Sequence, residues 1–352
     1  MANVSGIADV ARLAGVSKST ASRALSGAGY VSGPTRDRVT AAATTLGYVP
    51  STNAQSLSTG RTQSVGVVMP FVNRWFFAEV LEGIQHGLLA HGLDLLLYDA
   101  KPRTETRRRI FEDFLARKRF DGLIAVGVDP QEDELESMLS LGKPVVSVIG
   151  DETRTSVVSL DESHTAQRAT EHLIALGHRR VAFLGAGADS TRPRVETARV
   201  AGYQQAMRDG GLGDQITHVP SALTMPAGYA AAVDLLSDSR ARPTGIVAVC
   251  DEVAIGAIIA ARRLGIQVPA ALSVVGIDDH EHAEMFALTT LRQNPREQGE
   301  TAVELLVRQI ADPEAPPRAV RLNPRLVVRN STGPVFPAAS AAVVDGGIAP
   351  AE

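Results

Sequence analysis

Small apolar residues recur at helical spacing from the start of the chain. In IADVARLAG, Ile7, Val10, Ala11 and Ala14 share one face, and Gly15 stops the run. A second short helix is predicted over VSKSTASRALSG, with Ser17 as its N-cap and Gly27 as its stop. A third is predicted over SGPTRDRVTAAATTLGY, where Ser32 caps, Pro34 sits in the first turn and Gly47 ends the helix. The first two, joined by a turn of about three or four residues around a glycine, have the helix-turn-helix pattern. The next stretch, VPSTNAQSLSTGRT, is polar, with Val49 and Leu57 as its large apolar residues. A helix this short gains too little to offset nucleation, so it is predicted to be a linker that orders only against a partner.

From Ser64 the pattern changes to short apolar runs ending in Gly, Pro, Asp or Ser: SVGVVMP, LDLLLYD, DGLIAVG, KPVVSVIG, VVSLD, RRVAFLG, ITHVPS, TGIVAVCD and LSVVGIDD. Between them lie amphipathic stretches such as FAEVLEGIQHGLLAHG, TRRRIFEDFLARKR, HTAQRATEHLIALG, RVAGYQQAMRDGG and DEVAIGAIIAARRLG. This alternation predicts an α/β body of parallel sheets flanked by helices, with ligands at the carboxyl ends of the strands. More than eight such strands fit two open sheets better than one. The final segment, rich in Ala, Gly and Pro without a period, reads as a flexible tail over 333–352.

Composition narrows the class. The 352 residues are 44% hydrophobic and 21% charged, as in a globular protein of two or three folding units. The start MANVSGIADV lacks the basic and apolar regions of a signal peptide, and no run approaches a membrane span, so a cytoplasmic protein is expected. The single cysteine, Cys250, excludes an internal disulfide framework and any multi-cysteine metal site. Residues 1–61 carry six cations and two acids, whereas the remainder carries 29 and 37. A basic head on an acidic body points to a polyanion partner for the head alone. In a helix-turn-helix the second helix enters the major groove, which places Lys18 and Ser19 in its first turn and Arg23 on the same face as Ser19. The Arg23 fork can bond guanine O6 and N7 together.

IADVARLAGVSKSTASRAL followed by VSGPTRDRVTAAATTLGYVPSTNAQSL resembles the head of the lactose-repressor (LacI/GalR) family of bacterial transcription factors. The resemblance continues through RWFFAEVLEGI, TEHLIALGHRRVAFLG, CDEVAIGAI and LSVVGIDD, and so covers roughly residues 5–332. It implies base readout by Lys18, Ser19 and Arg23, and phosphate contacts by Thr20, Ser22, Tyr30, Ser32 and Thr35. In the linker it implies a hinge helix whose Ala54 and Leu57 enter the minor groove, where paired leucines of a dimer wedge the central base step. The implied organisation is an N-terminal all-α head (1–49), a hinge and linker (50–62), and an effector-binding and dimerisation body (63–332). The body resembles the periplasmic-binding-protein fold. Its N-subdomain covers about 63–159 and 293–319, its C-subdomain about 160–290 and 320–332, and the effector lies between them. Family positions for that effector fall on Phe76, Phe77, Asp161, Arg199, Leu223, Cys250, Asp251, Asp278 and Gln293. This is a reasonable mixture for a sugar, with aromatic faces for C–H surfaces and charged groups for hydroxyls. Five of these have a plainer alternative: Phe76 and Phe77 as core, Arg199 and Asp278 as members of structural ion pairs, Asp161 in a structural role.

Three departures bear on the ligand. Many relatives carry Asn-Asp at Cys250-Asp251, Asn-Pro at Arg74-Trp75 and Asp-Asn at Asp161-Glu162. A thiol cannot replace the paired donor and acceptor of a carboxamide. Arg74 and Trp75 either face the effector, favouring an acidic, phosphorylated or larger one, or serve as interface or core residues. Rival readings are a sugar-binding protein without DNA function and a carbohydrate-acting enzyme using Asp278, Asp279 and His280 or Asp161 to His164. No G-x-S-x-G, H-E-x-x-H or G-x-x-x-x-G-K-[ST] is present, and GAGADSTRPR lacks its third glycine. His280 and His282 lack a third histidine or cysteine, so no metal and no cofactor is expected. The reading is a non-enzymatic regulator, a repressor, that binds operator DNA as a homodimer under control of a sugar-like effector.

Overall fold

The computed structural model describes residues 6–27, 29–48, 60–150, 154–187 and 193–335. Three helices open the chain: α1 (Ile7–Ala14), α2 (Lys18–Ser26) and α3 (Gly33–Thr45). Gly15 takes a left-handed φ of 67° to close α1, and the Ser17 hydroxyl accepts the Thr20 N–H to start α2. Ser32 stands at the N-cap of α3, but its hydroxyl donates to Thr35 Oγ1 instead of capping the main chain. The three pack through small residues, Val10, Ala11, Ala14, Ala21, Ala24, Val31, Val39, Ala42 and Ala43, all buried. Ala54 and Leu57 lie outside the described residues.

The rest contains two six-stranded sheets. The first comprises β1 (Ser64–Met69), β2 (Asp94–Asp99), β3 (Gly122–Val126), β4 (Val145–Val148), β5 (Ser156–Leu160) and β11 (Ala319–Leu322), in the order β11-β5-β4-β3-β1-β2. Parallel registers such as Val67 against Leu97 and Ile124 run through it. Its helices are α4 (Trp75–Ala90), α5 (Glu105–Arg109), α6 (Glu132–Leu139) and α11 (Pro295–Ala311). The second comprises β6 (Val181–Leu184), β7 (Thr217–Val219), β8 (Gly245–Ala248), β9 (Ser273–Asp278), β10 (Thr289–Arg292) and β12 (Arg325–Val327), in the order β12-β10-β9-β8-β6-β7. Its helices are α7 (Glu162–Ala175), α8 (Pro193–Asp209), α9 (Met225–Ser237) and α10 (Asp251–Arg263). The chain divides into unit 1, residues 1–158 and 296–319, and unit 2, residues 159–295 and 320–352.

Strands β1, β3, β4 and β5 are almost wholly buried, as apolar runs flanked by helices should be. Two features depart from the sequence reading. β12 pairs with β10 antiparallel. The stretch expected as one helix over TRRRIFEDFLARKR is α5 followed by a π turn (Ile110–Phe114) and a 3-10 turn (Leu115–Arg117). The irregular turns bury Ile110, Phe111 and Leu115, while Arg107 stays anchored on Glu134 at 2.6 and 2.7 Å. At the chain's far end, Gly333 N donates to Ser273 Oγ and Val335 N to Leu176 O, so unit 2 holds the chain that far.

In unit 2, α8 crosses α7 at Gly202, where a Cβ would meet the Ser163 carbonyl oxygen at 1.9 Å. Only a hydrogen fits there, and this close approach brings Arg199, one turn before Gly202, to the first turn of α7. Gly202→Ala is therefore expected to push the helices apart and destabilise unit 2 by about 1–3 kcal/mol. A urea titration followed by far-UV circular dichroism should show a lower midpoint; an unchanged midpoint would mean that the helices have slack.

Candidate functional site

Two places gather the functional candidates. On the head, α2 presents Lys18, Ser19 and Arg23 exposed, with Thr20 and Ser22 half-buried between them. Alternate positions Ala21 and Ala24 are buried, which fixes the helix's rotation and so which residues face out. Arg23 Nε donates to the Ser19 carbonyl at 3.2 Å, and its aliphatic carbons lie 3.3 Å from where a Gly29 Cβ would be. Its guanidinium is thus carried on a partly ordered stem. Ser17 Oγ lies 2.9 Å from Ser19 Oγ and 2.8 Å from Thr20 Oγ1, a hydroxyl cluster at the helix N-terminus, where main-chain N–H groups favour an anion. Tyr30 is 92% exposed, too much for an aromatic with a packing role. Ser32 is exposed and Thr35 half-buried at the start of α3. These eight residues, the described part of the predicted DNA surface, stand on the outside of one small three-helix core.

The second place is the carboxyl end of the second sheet, within unit 2. Arg199 is fully buried; its Nε donates to Glu162 Oε2 at 2.7 Å and its Nη1 to the Val249 carbonyl at 2.6 Å. Burial opposes its charge, and Glu162 and Asp278 more than offset this, so the guanidinium holds its proton above the ordinary arginine value. Asp278 ends β9, and Gln293 Nε2 donates to its Oδ1. Asp251, the first residue of α10, is wholly buried: Oδ2 accepts the His280 N–H at 2.9 Å and Oδ1 the Thr290 hydroxyl at 2.7 Å. It fits only because residue 276 is glycine, whose Cβ would lie 2.1 Å from Oδ1. Burial, then the charge of Asp278, pushes the Asp251 carboxyl up to about 8. Asp278 and Asp279 take left-handed φ values of 139° and 60°, strained for non-glycine residues. The turn is held by Arg292 and Arg329 on Asp279.

Asp161, Arg199, Cys250, Asp251, Asp278 and Gln293 thus stand on neighbouring elements of one unit. Asp161 caps α7 by accepting the His164 N–H, and Cys250 stands at the N-cap of α10, buried. Leu223 is buried in the hydrophobic core of the unit. Phe76 and Phe77 belong to unit 1, where they are buried in the first turn of α4 with ring centres 5.4 Å apart. Arg74 lies over Phe71 at 4.5 Å, and Trp75 is half-buried. Glu162 was not foreseen as a site residue. It is 37 positions from Arg199, and no spacing rule links them. Its Oε1 is buried and meets no hydrogen-bond donor among the described residues.

Ligand atoms of His280, Glu281 and His282 lie within 4.8 Å of one another. His280 Nδ1, however, already accepts the His282 N–H at 3.0 Å, which occupies the lone pair a metal would need there. GAGADSTRPR lies partly outside the described residues.

Residues 6–51 match the bacterial regulatory proteins of the lacI family, and residues 170–332 match the periplasmic binding protein-like domain. The chain is 32% identical over 331 residues to the transcriptional repressor PurR of Vibrio campbellii, covering 92% of this chain and 98% of that one. The chain belongs to the lacI family. Among solved structures, the lac repressor dimer bound to operator and the anti-inducer ONPF superposes with a TM-score of 0.82 at 25% identity, covering 94% of this chain and 100% of that one. A lacI-family regulator from Enterococcus faecium with bound ribose gives 0.69 at 26% identity, covering 78% and 100%. As a member of the lacI family the chain is a DNA-binding transcriptional regulator, and the relatives matched are regulators rather than enzymes. No helix of the described residues is long and apolar enough to cross a membrane.

The Asp251 proton gives a measurable pH dependence. Burial pushes the folded carboxyl up to about 8, while the unfolded one keeps the ordinary carboxylate value of 3.8, so between these the unfolded state releases a proton that the folded state keeps. Stability therefore falls as pH rises through this window, by up to about 1.4 kcal/mol per pH unit. The half-buried His172 and the buried His178, whose pKa values burial lowers, act in the opposite direction only below their ordinary range. Asp251→Asn mimics the protonated acid, with Nδ2 toward Thr290 and Oδ1 toward His280 N–H. Thermal scans from pH 7 to 8 should show wild-type stability falling relative to Asp251→Asn; parallel curves would mean that Asp251 is ionised in the fold.

Proposed function

We propose that the chain is a repressor that binds a pseudo-palindromic operator as a homodimer and releases or grips it according to a small-molecule effector. Lys18, Ser19 and Arg23 read bases in the major groove. Thr20, Ser22, Tyr30, Ser32 and Thr35 hold phosphates, and Ala54 and Leu57 enter the minor groove from the hinge. The observation that carries the reading is the face of α2. It has two exposed cations, clustered hydroxyls and no acid, on a helix whose opposite face is locked into a core of small residues.

The effector is a sugar or sugar derivative taken up by the body, and Phe76, Phe77, Asp161, Arg199, Leu223, Cys250, Asp251, Asp278 and Gln293 are the residues assigned to it. Support comes from the chemistry at the strand ends of unit 2. Glu162 leaves one buried oxygen without a donor among the described residues, and the Asp278 carboxylate adds acceptors close to the Arg199 guanidinium. Hydroxyl groups donate to such acceptors and accept from the guanidinium. The ribose held by the Enterococcus faecium relative is of this class. The effector can change operator affinity only as far as it binds the two conformations of the body differently.

Selection of bound sequences from a random duplex pool, with the full chain, is the test. An inverted repeat should be enriched, and Arg23→Ala should weaken binding to the recovered site by about 1–3 kcal/mol, roughly five- to 150-fold, while changing binding to random duplex little. An equal loss on both duplexes would overturn base reading by Arg23. Failure to enrich any motif would overturn the function.

A further inference from the structure

The body is acidic, yet residues 101–119 carry eight cations and three acids. Some of that charge is committed within the fold. Arg107 is buried on Glu134, and Arg108 is held by Glu105 and Glu112. Arg109, Arg117, Lys118 and Arg119 are different. All four are exposed, and among the described residues none makes an ion pair with a carboxylate. The remaining acids nearby are Asp113 on the π turn and Asp94 at the start of β2, both exposed, and the buried Asp121, whose carboxylate is taken by main-chain N–H groups.

The four cations form one surface. The guanidinium groups of Arg109 and Arg117 lie 5.7 and 4.3 Å from the centre of the Phe114 ring. Burial raises the Tyr98 hydroxyl's pKa, and Arg119 and Arg117 both oppose that rise. Lys118, between them, holds a left-handed backbone with φ of 48° and closes the 3-10 turn through its N–H to the Leu115 carbonyl. Crowding like charges around one ring is unfavourable in isolation, and a polyanion relieves it.

Their place in the fold names the polyanion. Two residues after Arg119, the Asp121 carboxylate accepts the N–H groups of Thr62 and Gln63 at 2.8 and 2.9 Å, and Asp121 N donates to Ser64 O at 2.7 Å. The basic loop therefore flanks the point at which the chain arriving from the head enters the first sheet. Between Tyr48 and Gly60 lie the linker residues 49–59, which span at most about 40 Å when extended. DNA gripped by the head thus lies within reach of this loop, and duplex DNA offers a phosphate charge about every 1.7 Å. We propose that Arg109, Arg117, Lys118 and Arg119 form a second, sequence-independent contact with the phosphate backbone of duplex DNA, made by the body rather than the head. The proposal rests on the DNA-binding reading given above.

The test uses the full chain and a random-sequence duplex of about 40 base pairs, with affinity measured between roughly 50 and 200 mM salt. Replacing Arg117→Ser, Lys118→Asn and Arg119→Ser together should lower the slope of log affinity against log salt by about two to three and weaken binding about tenfold. An unchanged slope and affinity overturns the proposal. If the triple variant melts early, Lys118→Glu alone, at an exposed position, must still lower the slope by about one; no change there overturns it equally. If wild type binds no duplex at all, the DNA reading fails and this proposal with it. Wild-type binding with an insensitive loop sinks the proposal alone.

Discussion

The Asp121 carboxylate is the joint on which this architecture depends. It is buried, and it accepts two successive main-chain N–H groups, those of Thr62 and Gln63. Gln63 has a left-handed φ of 53°, a conformation that a non-glycine residue keeps only when its surroundings impose it. Asp121 imposes it from one side. The Asp94 N–H, donating to the Gln63 carbonyl at 2.8 Å, imposes it from the other. The linker is the sole covalent route from head to body, so the direction in which it leaves the first sheet is set here. A strained residue between two strand starts is also a place where a small shift of β2 or β3 changes that direction.

Unit 2 solves a different problem, that of burying charge at strand ends. Arg199 is surrounded by Glu162, Asp278 and the Val249 carbonyl, and a buried cation is tolerable only with such company. Two buried carboxylates near each other cannot both ionise cheaply, and the proton kept by Asp251 settles the conflict with Asp278. The strained pair Asp278-Asp279 is pinned by Gln293, Arg292 and Arg329. The result is a cluster of buried acids around one buried guanidinium at the strand ends of unit 2.

Much of this was legible in the sequence, for physical reasons. The head helices carry local signals that no tertiary contact overrides: Ser17 as cap, Gly15 and Gly27 in left-handed stops, Pro34 in a first turn. Seven of the nine apolar runs are strands buried on both faces, which demands continuous apolarity, whereas β2 and β7 are part-exposed strands at the sheet edges. β10, β11 and β12 were not foreseen, being three or four residues long with exposed or polar positions, and they form strands only because a sheet edge is already there. The π turn depends on where Arg107 is anchored, which sequence spacing does not encode. Likewise the family positions pointed to Arg199, Asp251 and Asp278, but not to Glu162 as the counter-ion, because that pairing follows from the close approach at Gly202.

Head, linker and body form one device only if the joint at Asp121 governs how the linker is presented to DNA. The measurement that addresses this most directly is the affinity of Asp121→Asn for the selected operator and for random duplex, with thermal midpoints as a check on folding. Asparagine keeps one acceptor and sets an N–H₂ against the other main-chain N–H. The account predicts that operator affinity falls about tenfold or more while random-duplex affinity stays within about twofold. Unchanged operator affinity in a folded Asp121→Asn protein would contradict it.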